Sequence, residues 1–568
     1  MLKYTLVLLL VLSSFRDALS APAQVPLDMS VVATARPKRK LQGRFLHITD
    51  MHPDPYYRVG MSEKSACHRK KPKKAKPRSG PYGIPYSECD SPFSLTNYTL
   101  DYIEKKWSDD IDFVIWTGDS ARHDNDRKLP RTTREIYELN RAMARRMEEV
   151  FLSKGIPVVP TIGNNDIWPH NIMLPGPNDI TSQYSSIWRS FIPFTAYQVF
   201  QRGGYFSVDV IPDSVAAISL NTLYFYASNK AVGGCVANDS EDPGNLQLDW
   251  LEVQLQTFRR RGMQVWLVGH VPPSARNYYP DCHVRYVELS LRYQDTILGH
   301  LYGHMNVDHF FFLDAQAIEQ SGKDRSSDGP LAIEAEDGLM KKKHKDLYGT
   351  LLKDFNHVRK ESNLNHAHYA VVNVAPSVVP NPYLPSFRIF SYNISGSPYV
   401  PGDLGDSGGQ SIASRDEASA DCLDDDDSGG SCEKWTKDAK DSWYSSPDSP
   451  SRKNGLWTPL GYAQYYIPNL NGTGKRPPKF KLEYLTFAPT SLHPPATGAR
   501  GWYPIPLKNL PRSLRNATVT RSKYAPYRMA DLTIPSWVKL AQRLAKPRQT
   551  KLRGRFRRYM YMGADDER

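Results

Sequence analysis

The chain has 568 residues, a formal net charge of +13 and a hydrophobic content of 40%. That content is enough for a large folded core, and the length allows more than one domain. Six cysteines are present, but they form no Cys-x-x-Cys pair, which argues against a zinc ribbon or a thiol redox motif.

The first 20 residues predict a targeting segment. An apolar run from residue 5 to residue 12 follows Lys3, and Ala18-Leu19-Ser20 precedes a candidate cleavage point. Because the run is short for a bilayer span, we expect a secretory signal peptide, with an uncleaved signal anchor as the alternative. Either one directs the body of the chain into the secretory pathway. Five Asn-x-Ser/Thr acceptors for glycosylation agree with that route: Asn97, Asn238, Asn393, Asn471 and Asn516.

The cysteines are a second indication of the same route. An even number of cysteines in a secreted chain indicates disulfides, although sequence alone leaves their connectivity open. The most local pairing joins Cys67 to Cys89, Cys235 to Cys282 and Cys422 to Cys432.

In chain order, the first structural element is a strand at residues 45–49. It follows a Pro-rich, basic linker at residues 21–42 and delivers Asp50 and His52. A long cationic insertion, residues 53–92, comes directly after this strand end. Long loops in compact domains are usually functional or disordered.

The run Ile-Asp-Phe-Val-Ile-Trp at residues 111–116 predicts a buried strand, because a strand covered on both faces lacks polar alternation. Gly118 then allows a sharp turn. Asp119 follows in the position where open α/β sheets carry their chemistry.

Helix and strand patterns continue along the chain. Thr132 and Glu135 form a capping-box pattern at the start of a helix predicted over residues 133–154. The other predicted elements are helices at 96–107 and 245–261 and strands at 157–162, 205–210, 215–223, 263–268, 298–302, 310–313, 369–374 and 387–393. The order strand, helix, strand indicates right-handed parallel crossovers and therefore an α/β fold.

Composition predicts the domain boundaries. The main domain covers residues 43–400, with a charged insertion at residues 316–365. Residues 401–455 are an acidic, low-complexity insertion, of which we expect residues 402–450 to be disordered. Residues 456–535 return to aromatic, strand-like sequence that packs back on the core, and residues 536–568 form a basic tail.

Two stretches are strongly basic: residues 69–78 hold seven Lys or Arg, and residues 543–558 hold eight. A charge run is usually solvated surface or a disordered tail. The functional alternative is attraction for a polyanion through counterion release. The second stretch could equally be a removable pro-segment.

Polar side chains follow five of the predicted strands: Asp50 and His52, Asp119, Asn164, His270, and His304 with Asn306. A lone His or a Gly-Asn pair at such a position is ordinarily a turn residue. As a set, the carboxylate, amide and imidazole donors suit two divalent cations of borderline to hard character. One carboxylate, Asp119, can bridge both ions.

The motifs Asp-x-His, Gly-Asp-x₃-His, Gly-Asn-x-Asp, Gly-His and Gly-His-x-Asn resemble those of the calcineurin-like binuclear metallophosphoesterases. The resemblance implies a β-sandwich flanked by helices, here with long insertions and a basic tail. It implies two divalent metal ions of unknown identity, held by six ligands. Asp50 and His52 would hold the first ion, Asp119 both, and Asn164, His270 and His304 the second.

One motif is similar to the acid-sphingomyelinase branch of that superfamily. Its Gly-Asp-Ser-Ala-Arg-His form places His123 four residues after Asp119. The matching histidine of that branch lies near the leaving group, so the resemblance makes His123 the candidate general acid.

Two positions depart from the superfamily pattern. Asn165 stands where a phosphate-facing His is usual, and Asn306 stands where a metal-binding His is usual. The amide oxygen of Asn306 could still ligate the first ion, or His309 could replace it. We therefore group Asn165, Asn306 and His309 as substrate-binding candidates.

These departures, together with Trp-Thr-Pro-Leu-Gly-Tyr-Ala-Gln-Tyr-Tyr at residues 457–466, resemble the fungal vacuolar endopolyphosphatases. The resemblance implies hydrolysis of internal phosphoanhydride bonds of inorganic polyphosphate, with no nucleic acid required. It also implies a vacuolar location and an N-terminal membrane anchor as an alternative to cleavage. Internal cleavage agrees with the neutral Asn165, which suits a doubly charged chain terminus poorly.

Two other functions fit parts of the sequence. One is a phosphodiesterase that acts on lipids or nucleotides, which would need an apolar groove or an aromatic base platform. The other is a non-catalytic binding protein that retains the fold, prompted by Asn165 and Asn306. Retention of six metal-ligand types and His123 argues against the second function.

Overall fold

Two mixed β-sheets form the centre of the protein, as seen in a computed structural model that describes residues 39–73, 76–237, 239–316, 318, 340–360, 364–402, 443–472, 476–494 and 502–564. Within these residues each sheet has six strands. The strands are β1 (Arg44–Ile48), β2 (Phe113–Trp116), β3 (Val158–Pro160), β4 (Phe206–Ile211), β5 (Val215–Ser219), β6 (Gln264–Val268), β7 (Ile297–Tyr302), β8 (His309–Asp314), β9 (Tyr369–Val374), β10 (Ser386–Tyr392), β11 (Pro459–Tyr466) and β12 (Lys481–Leu485).

Helices of the described residues connect and flank these strands. They are α1 (Phe93–Trp107), α2 (Thr133–Val150), α3 (Asp179–Ile187), α4 (Tyr197–Gly203), α5 (Pro243–Arg260), α6 (Pro280–Arg292), α7 (Met340–Lys360), α8 (Ile534–Ala545) and α9 (Thr550–Met560). The predicted α/β class is therefore confirmed.

The strand order explains where the polar strand ends meet. The first sheet runs β12-β11-β10-β1-β2-β3, and the second runs β4-β5-β6-β7-β9-β8. Strands β1, β2 and β3 are parallel, as are β5, β6 and β7. Parallel neighbours end at the same edge of a sheet, which is where ligands bind in α/β folds.

Aromatic side chains join the two sheets. The ring of Phe45 on β1 lies 5.1 Å from that of Trp266 on β6 in an edge-to-face arrangement. Trp266 also contacts Phe390 on β10, with ring centroids 6.2 Å apart. Such pairs contribute about 0.5–1.5 kcal/mol beyond burial of their area. The predicted β-sandwich is thus held face to face by rings from three strands.

Helix α2 begins at Thr133, as its sequence predicts, but it ends at Val150, and residues 152–154 of the predicted helix form a separate 3-10 turn. The Thr132 side chain accepts a hydrogen bond from the Glu135 backbone N–H, which satisfies one of the free donors at the helix start. Ile136, Met143 and Met147 are buried on one face, as their spacing requires.

Parts of the predicted charged insertion (residues 316–365) and of the predicted basic tail (residues 536–568) pack into the core. Leu351 and Phe355 on α7 are buried, and Phe355 stacks on Phe310 of β8 at 4.8 Å. Trp537 on α8 packs on the same Phe310 at 4.5 Å, and Phe556 on α9 is buried beside it. Both regions are charged overall, but each of their helices has about one apolar residue per turn, and these residues pack into the core.

Both disulfides that involve described residues match the predicted pairing, Cys67–Cys89 and Cys235–Cys282. The predicted Cys422–Cys432 pair lies outside the described residues. Among the described helices, none has the length and apolarity needed to cross a bilayer. The predicted targeting segment at residues 1–20 also lies outside them.

The glycosylation candidates differ in exposure. Asn471 and Asn516 are exposed, whereas Asn97 and Asn393 are half-buried. Asn238 lies outside the described residues, so its exposure is not part of the structure.

We expect Trp537→Ala to lower the free energy of unfolding by about 3–5 kcal/mol, because it leaves a cavity against Phe310. Lys539→Ala, an exposed position on the same helix, should change it by less than about 0.5 kcal/mol. Denaturant unfolding of the two variants measures both values. Equal midpoints would contradict a packed α8.

Candidate metal centre

The loop after β1 is held against the loop after β2 by their backbones. The Asp50 N–H donates to the Gly118 carbonyl at 3.1 Å, and the His52 N–H donates to the Asp119 carbonyl at 3.2 Å. Asp50, His52 and Asp119 all have left-handed φ values, of 50°, 38° and 55°. Non-glycine residues in this region are strained, and such strain concentrates at functional sites.

Asp119 is enclosed by the loop after β3. A Cβ atom at Gly163 would lie 2.0 Å from its Oδ1, so only glycine fits there. Asn165 donates to Asp119 twice, from its backbone N–H to Oδ1 at 2.9 Å and from Nδ2 to Oδ2 at 2.8 Å. Asn165 therefore orients the carboxylate that is predicted to bridge two ions.

Asp50, His52 and Asp119 form a first cluster of buried donor atoms. His52 Nε2 lies 3.6 Å from Asp50 Oδ1 and 3.4 Å from Asp119 Oδ2. His52 Nδ1 donates to the Ala121 carbonyl at 2.7 Å, so Nε2 faces the two carboxylates. Within the described residues, Asp50 Oδ1 and His52 Nε2 are buried without a hydrogen-bond partner.

A second cluster shares Asp119. His270 Nε2 lies 3.2 Å from Asp119 Oδ2 and 2.8 Å from Asn164 Oδ1. His304 Nδ1 lies 3.0 Å from the same Asn164 oxygen. His270 Nδ1 donates to the Thr117 carbonyl at 2.7 Å, which again leaves Nε2 to face the cluster.

Burial and neighbouring charges shift the pKa values of the histidines in both clusters. Burial alone would lower the pKa of His52, but the nearby carboxylates of Asp50 and Asp119 raise it to about 9. His270 behaves in the same way: burial opposes Asp119, and its pKa rises to about 9. Burial and the nearby His270 lower the pKa of His304 to about 3. A cation that binds to His52 or His270 must therefore displace a proton at neutral pH.

The donor set fits divalent cations. Each cluster combines imidazole with carboxylate or amide oxygen, the mixture preferred by ions of borderline hardness. The buried Asp50 oxygen and His52 nitrogen would each lose solvation without a partner, which a cation would supply. The structure thus brings together all six of the predicted metal ligands.

His123 lies at the edge of the first cluster. Its ring stacks on that of His52 with centroids 3.8 Å apart. Its Nδ1 lies 2.7 Å from Asp90 Oδ1, and its backbone N–H donates to Asp90 Oδ2 at 2.6 Å. Burial would raise the pKa of Asp90, but the charge and hydrogen bond of His123 hold it below its ordinary value.

Sequence reasoning missed Asp90, because it lies in the long cationic insertion. A signal was present, since Asp90 directly follows Cys89 of the first disulfide. The next residue, Ser91, donates its N–H to the His52 carbonyl at 3.1 Å. The end of the insertion therefore returns to the strand end from which it starts.

The two remaining candidates have different surroundings. Asn306 has a left-handed φ of 55° and donates from Nδ2 to the Asn381 carbonyl at 2.9 Å. Its Oδ1 is buried without a partner among the described residues. His309 begins β8, with Nδ1 2.8 Å from the Val307 carbonyl and its ring stacked on Phe311.

Asp166 is the other residue whose role the sequence did not indicate. Its buried carboxylate accepts hydrogen bonds from the backbone N–H groups of Asp119, Ser120 and Gly163 at 2.7–2.9 Å. The Gly-Asn-Asn-Asp motif contains it, but only the structure relates it to the loop after β2.

Similarity to known proteins agrees with this geometry. Residues 43–307 match the calcineurin-like phosphoesterase family. The chain is 39% identical to the endopolyphosphatase of Cryptococcus neoformans, over 94% of this chain and 95% of that protein. It is 35% identical to the endopolyphosphatase of Schizosaccharomyces pombe, over 89% of this chain and 84% of that protein. The endopolyphosphatase of Neurospora crassa is 40% identical over 67% of this chain and 57% of its own length.

These matches reach far past the metal-binding motifs. They extend over the C-terminal strands and helices as well as the calcineurin-like region, and the family fold implies a binuclear metal centre. The chain therefore belongs to the endopolyphosphatase family of calcineurin-like phosphoesterases.

Proposed function

We propose that the protein is a metal-dependent hydrolase that cleaves internal phosphoanhydride bonds of inorganic polyphosphate. The observation that carries this proposal is the pair of donor clusters that share the buried Asp119. The name and extent of the Cryptococcus neoformans relative support the choice of substrate.

In this proposal Asp50 and His52 would hold one divalent ion, and Asn164, His270 and His304 would hold the other. Asp119 would be shared by both. The partnerless Oδ1 of Asn306 makes it a better candidate than His309 for a further ligand of the first ion. Bound divalent ions supply a water activated near neutral pH and Lewis-acid stabilisation of phosphoryl charge.

His123 supplies the proton for the leaving phosphate oxygen. Asp90 accepts the Nδ1 proton of His123, which fixes the ring and leaves Nε2 for proton transfer. The His123 side chain is 21% exposed, whereas that of Asp90 is 4% exposed. A substrate can therefore reach the imidazole but not the carboxylate that positions it.

Internal cleavage follows from the charge of the site. The Asn165 side chain donates to Asp119, and its amide carries no charge for a doubly charged chain terminus. Lipid or nucleotide phosphodiester hydrolysis has no comparable support. A non-catalytic role is disfavoured because six metal-ligand types and the Asp90–His123 pair are all in place.

We also infer a lumenal, vacuolar location. Two disulfides support an oxidising compartment on the secretory route. The predictions for the N-terminal segment stay as made from the sequence: a cleaved signal peptide, with a retained signal anchor as the alternative.

Long-chain polyphosphate tests the proposed function directly. We expect mean chain length to fall early, with little orthophosphate at first, because internal bonds are cut. Gel electrophoresis and an orthophosphate assay over one time course measure both. EDTA should abolish the reaction. Orthophosphate release from the outset, with the remaining polymer still long, would contradict internal cleavage.

Asp119→Ala should remove both ions and the activity, because the carboxylate belongs to both clusters. Elemental analysis of the purified variant measures the ions, and circular dichroism checks that it is folded. Asp109→Ala, at an exposed position, should keep both. Two ions still bound to the Asp119 variant would refute its shared role.

His123→Ala should lower kcat by about 10²–10⁴ and leave the metal content unchanged, because only proton transfer is lost. Asp90→Asn should also lower kcat, because an amide orients the His123 imidazole less well than the carboxylate does. Asp124→Asn, on the exposed neighbour of His123, is the matched control. An unchanged kcat in the His123 variant, with chemistry rate-limiting, would exclude the general-acid role.

A further inference from the structure

Helix α9 has a cationic face beside its buried face. Lys551, Arg555 and Arg558 are separated by four and three residues, so their side chains lie on one side of the helix. All three are exposed, whereas Phe556 and Met560 are buried against the core. At 1.5 Å per residue, the three cations extend over roughly 10 Å of the helix.

The C-terminal end of α9 lies beside the metal-site loops. The Met560 carbonyl accepts a hydrogen bond from the Asp308 N–H at 3.3 Å, two residues after Asn306. The Met562 carbonyl accepts one from the Tyr86 hydroxyl at 3.4 Å. Tyr86 belongs to the insertion that supplies Asp90, so α9 ends between two loops of the centre.

Two further cations lie close to α9. Tyr559 stacks on Tyr484 of β12 at 4.4 Å, and its hydroxyl donates to the Lys523 carbonyl at 3.5 Å. The exposed Lys481 begins β12 and pairs with Tyr466 at the end of β11. We call Lys481, Lys523, Lys551, Arg555 and Arg558 the cationic rim.

The sheet sets the distance from Lys481 to the metal centre. Strand β11 is antiparallel to β10, which is antiparallel to β1, so Tyr466 and Asp50 lie at the same edge. Strand β12 is three positions from β1, which corresponds to roughly 14 Å at the usual strand spacing. A linear polymer can cross that distance, whereas a single phosphate cannot.

Among the described residues, none of the five rim cations forms an ion pair. Lys523 Nζ lies over the Tyr524 ring, 5.0 Å from its centroid. The nearby Glu483 is buried, and burial raises its pKa to about 8, so it carries little negative charge near pH 7. In contrast, Arg69 of the insertion pairs with Asp126, and the half-buried Arg543 donates to the Tyr527 carbonyl.

We infer that the cationic rim binds the polyphosphate chain several phosphates away from the bond that is cleaved. The inference rests on the proposed function and adds a second place where the polymer is held. A row of exposed cations binds a linear polyanion by releasing its counterions, with no need for a shaped pocket. The rim therefore acts on long chains and leaves short ones to the metal centre alone.

The test replaces three rim cations by glutamine: Lys551→Gln, Arg555→Gln and Arg558→Gln in one variant. We expect KM for long-chain polyphosphate to rise about 10- to 100-fold. The slope of log KM against log salt should fall by roughly 2, because the variant makes fewer phosphate contacts and its binding therefore releases fewer counterions. The ratio of kcat/KM for long chains to that for tripolyphosphate should fall by the same factor.

The matched control carries Lys105→Gln, Lys106→Gln and Arg512→Gln. These exposed cations lie at the opposite edge of the first sheet, where Asn509 donates to the Lys106 carbonyl. The control should keep the KM and the salt slope of the parent enzyme. Filter binding of long-chain polyphosphate in EDTA gives a second readout that does not need turnover.

The outcomes separate this inference from the proposed function. A parent enzyme without polyphosphate hydrolysis contradicts the proposed function. If the parent enzyme is active but the rim variant has the same KM and salt slope as the control, the inference that the rim binds polyphosphate is overturned. If the rim variant binds polyphosphate normally but no longer binds anionic phospholipid vesicles, the inference is also overturned, and the rim contacts a membrane surface instead. If the triple variant fails to fold, Lys481→Gln with Lys523→Gln is judged by the same criteria.

Discussion

The metal centre depends on one buried carboxylate that touches none of the proposed ions. Asp166 gathers backbone N–H groups from the loops after β2 and β3, and so fixes the turn that presents Asp119. Burial and the neighbouring Asp119 raise its pKa, and these donors offset that cost. The two loops are therefore in place before a cation arrives, which is the preorganisation that a precise site requires.

The sheets compensate for strain in the same loops. Asp50, His52, Asp119, His304 and Asn306 all have left-handed backbones, each at a cost of about 1–3 kcal/mol. Turns this tight are possible because the strands that end there are buried on both faces and fixed by aromatic contacts between sheets. The ligands thus converge because the core holds the strand ends rigidly, and not because the loops prefer those conformations.

The sequence was sufficient to predict features set by neighbouring residues, but it was insufficient to predict contacts between residues that are far apart in the chain. The strand ends and the α2 cap follow from periodicity and capping patterns. The six proposed ligands follow from motifs a few residues long and from the family resemblance of those motifs. Asp90 could not be found in this way, because it reaches His123 only after the insertion folds back through a disulfide. The packing of α7 and α9 was missed because their many charges outweigh one apolar residue per turn, such as Phe355 or Phe556.

The contact between Asp308 and Met560 also bears on how the protein is made. The ribosome synthesises the loop that carries His304 and Asn306 long before it synthesises α9. Contacts between such distant segments form late and slowly. The loop therefore gains its last neighbour only after α9 has been synthesised, so the loop beside the metal centre stays incomplete until nearly the whole chain has been made.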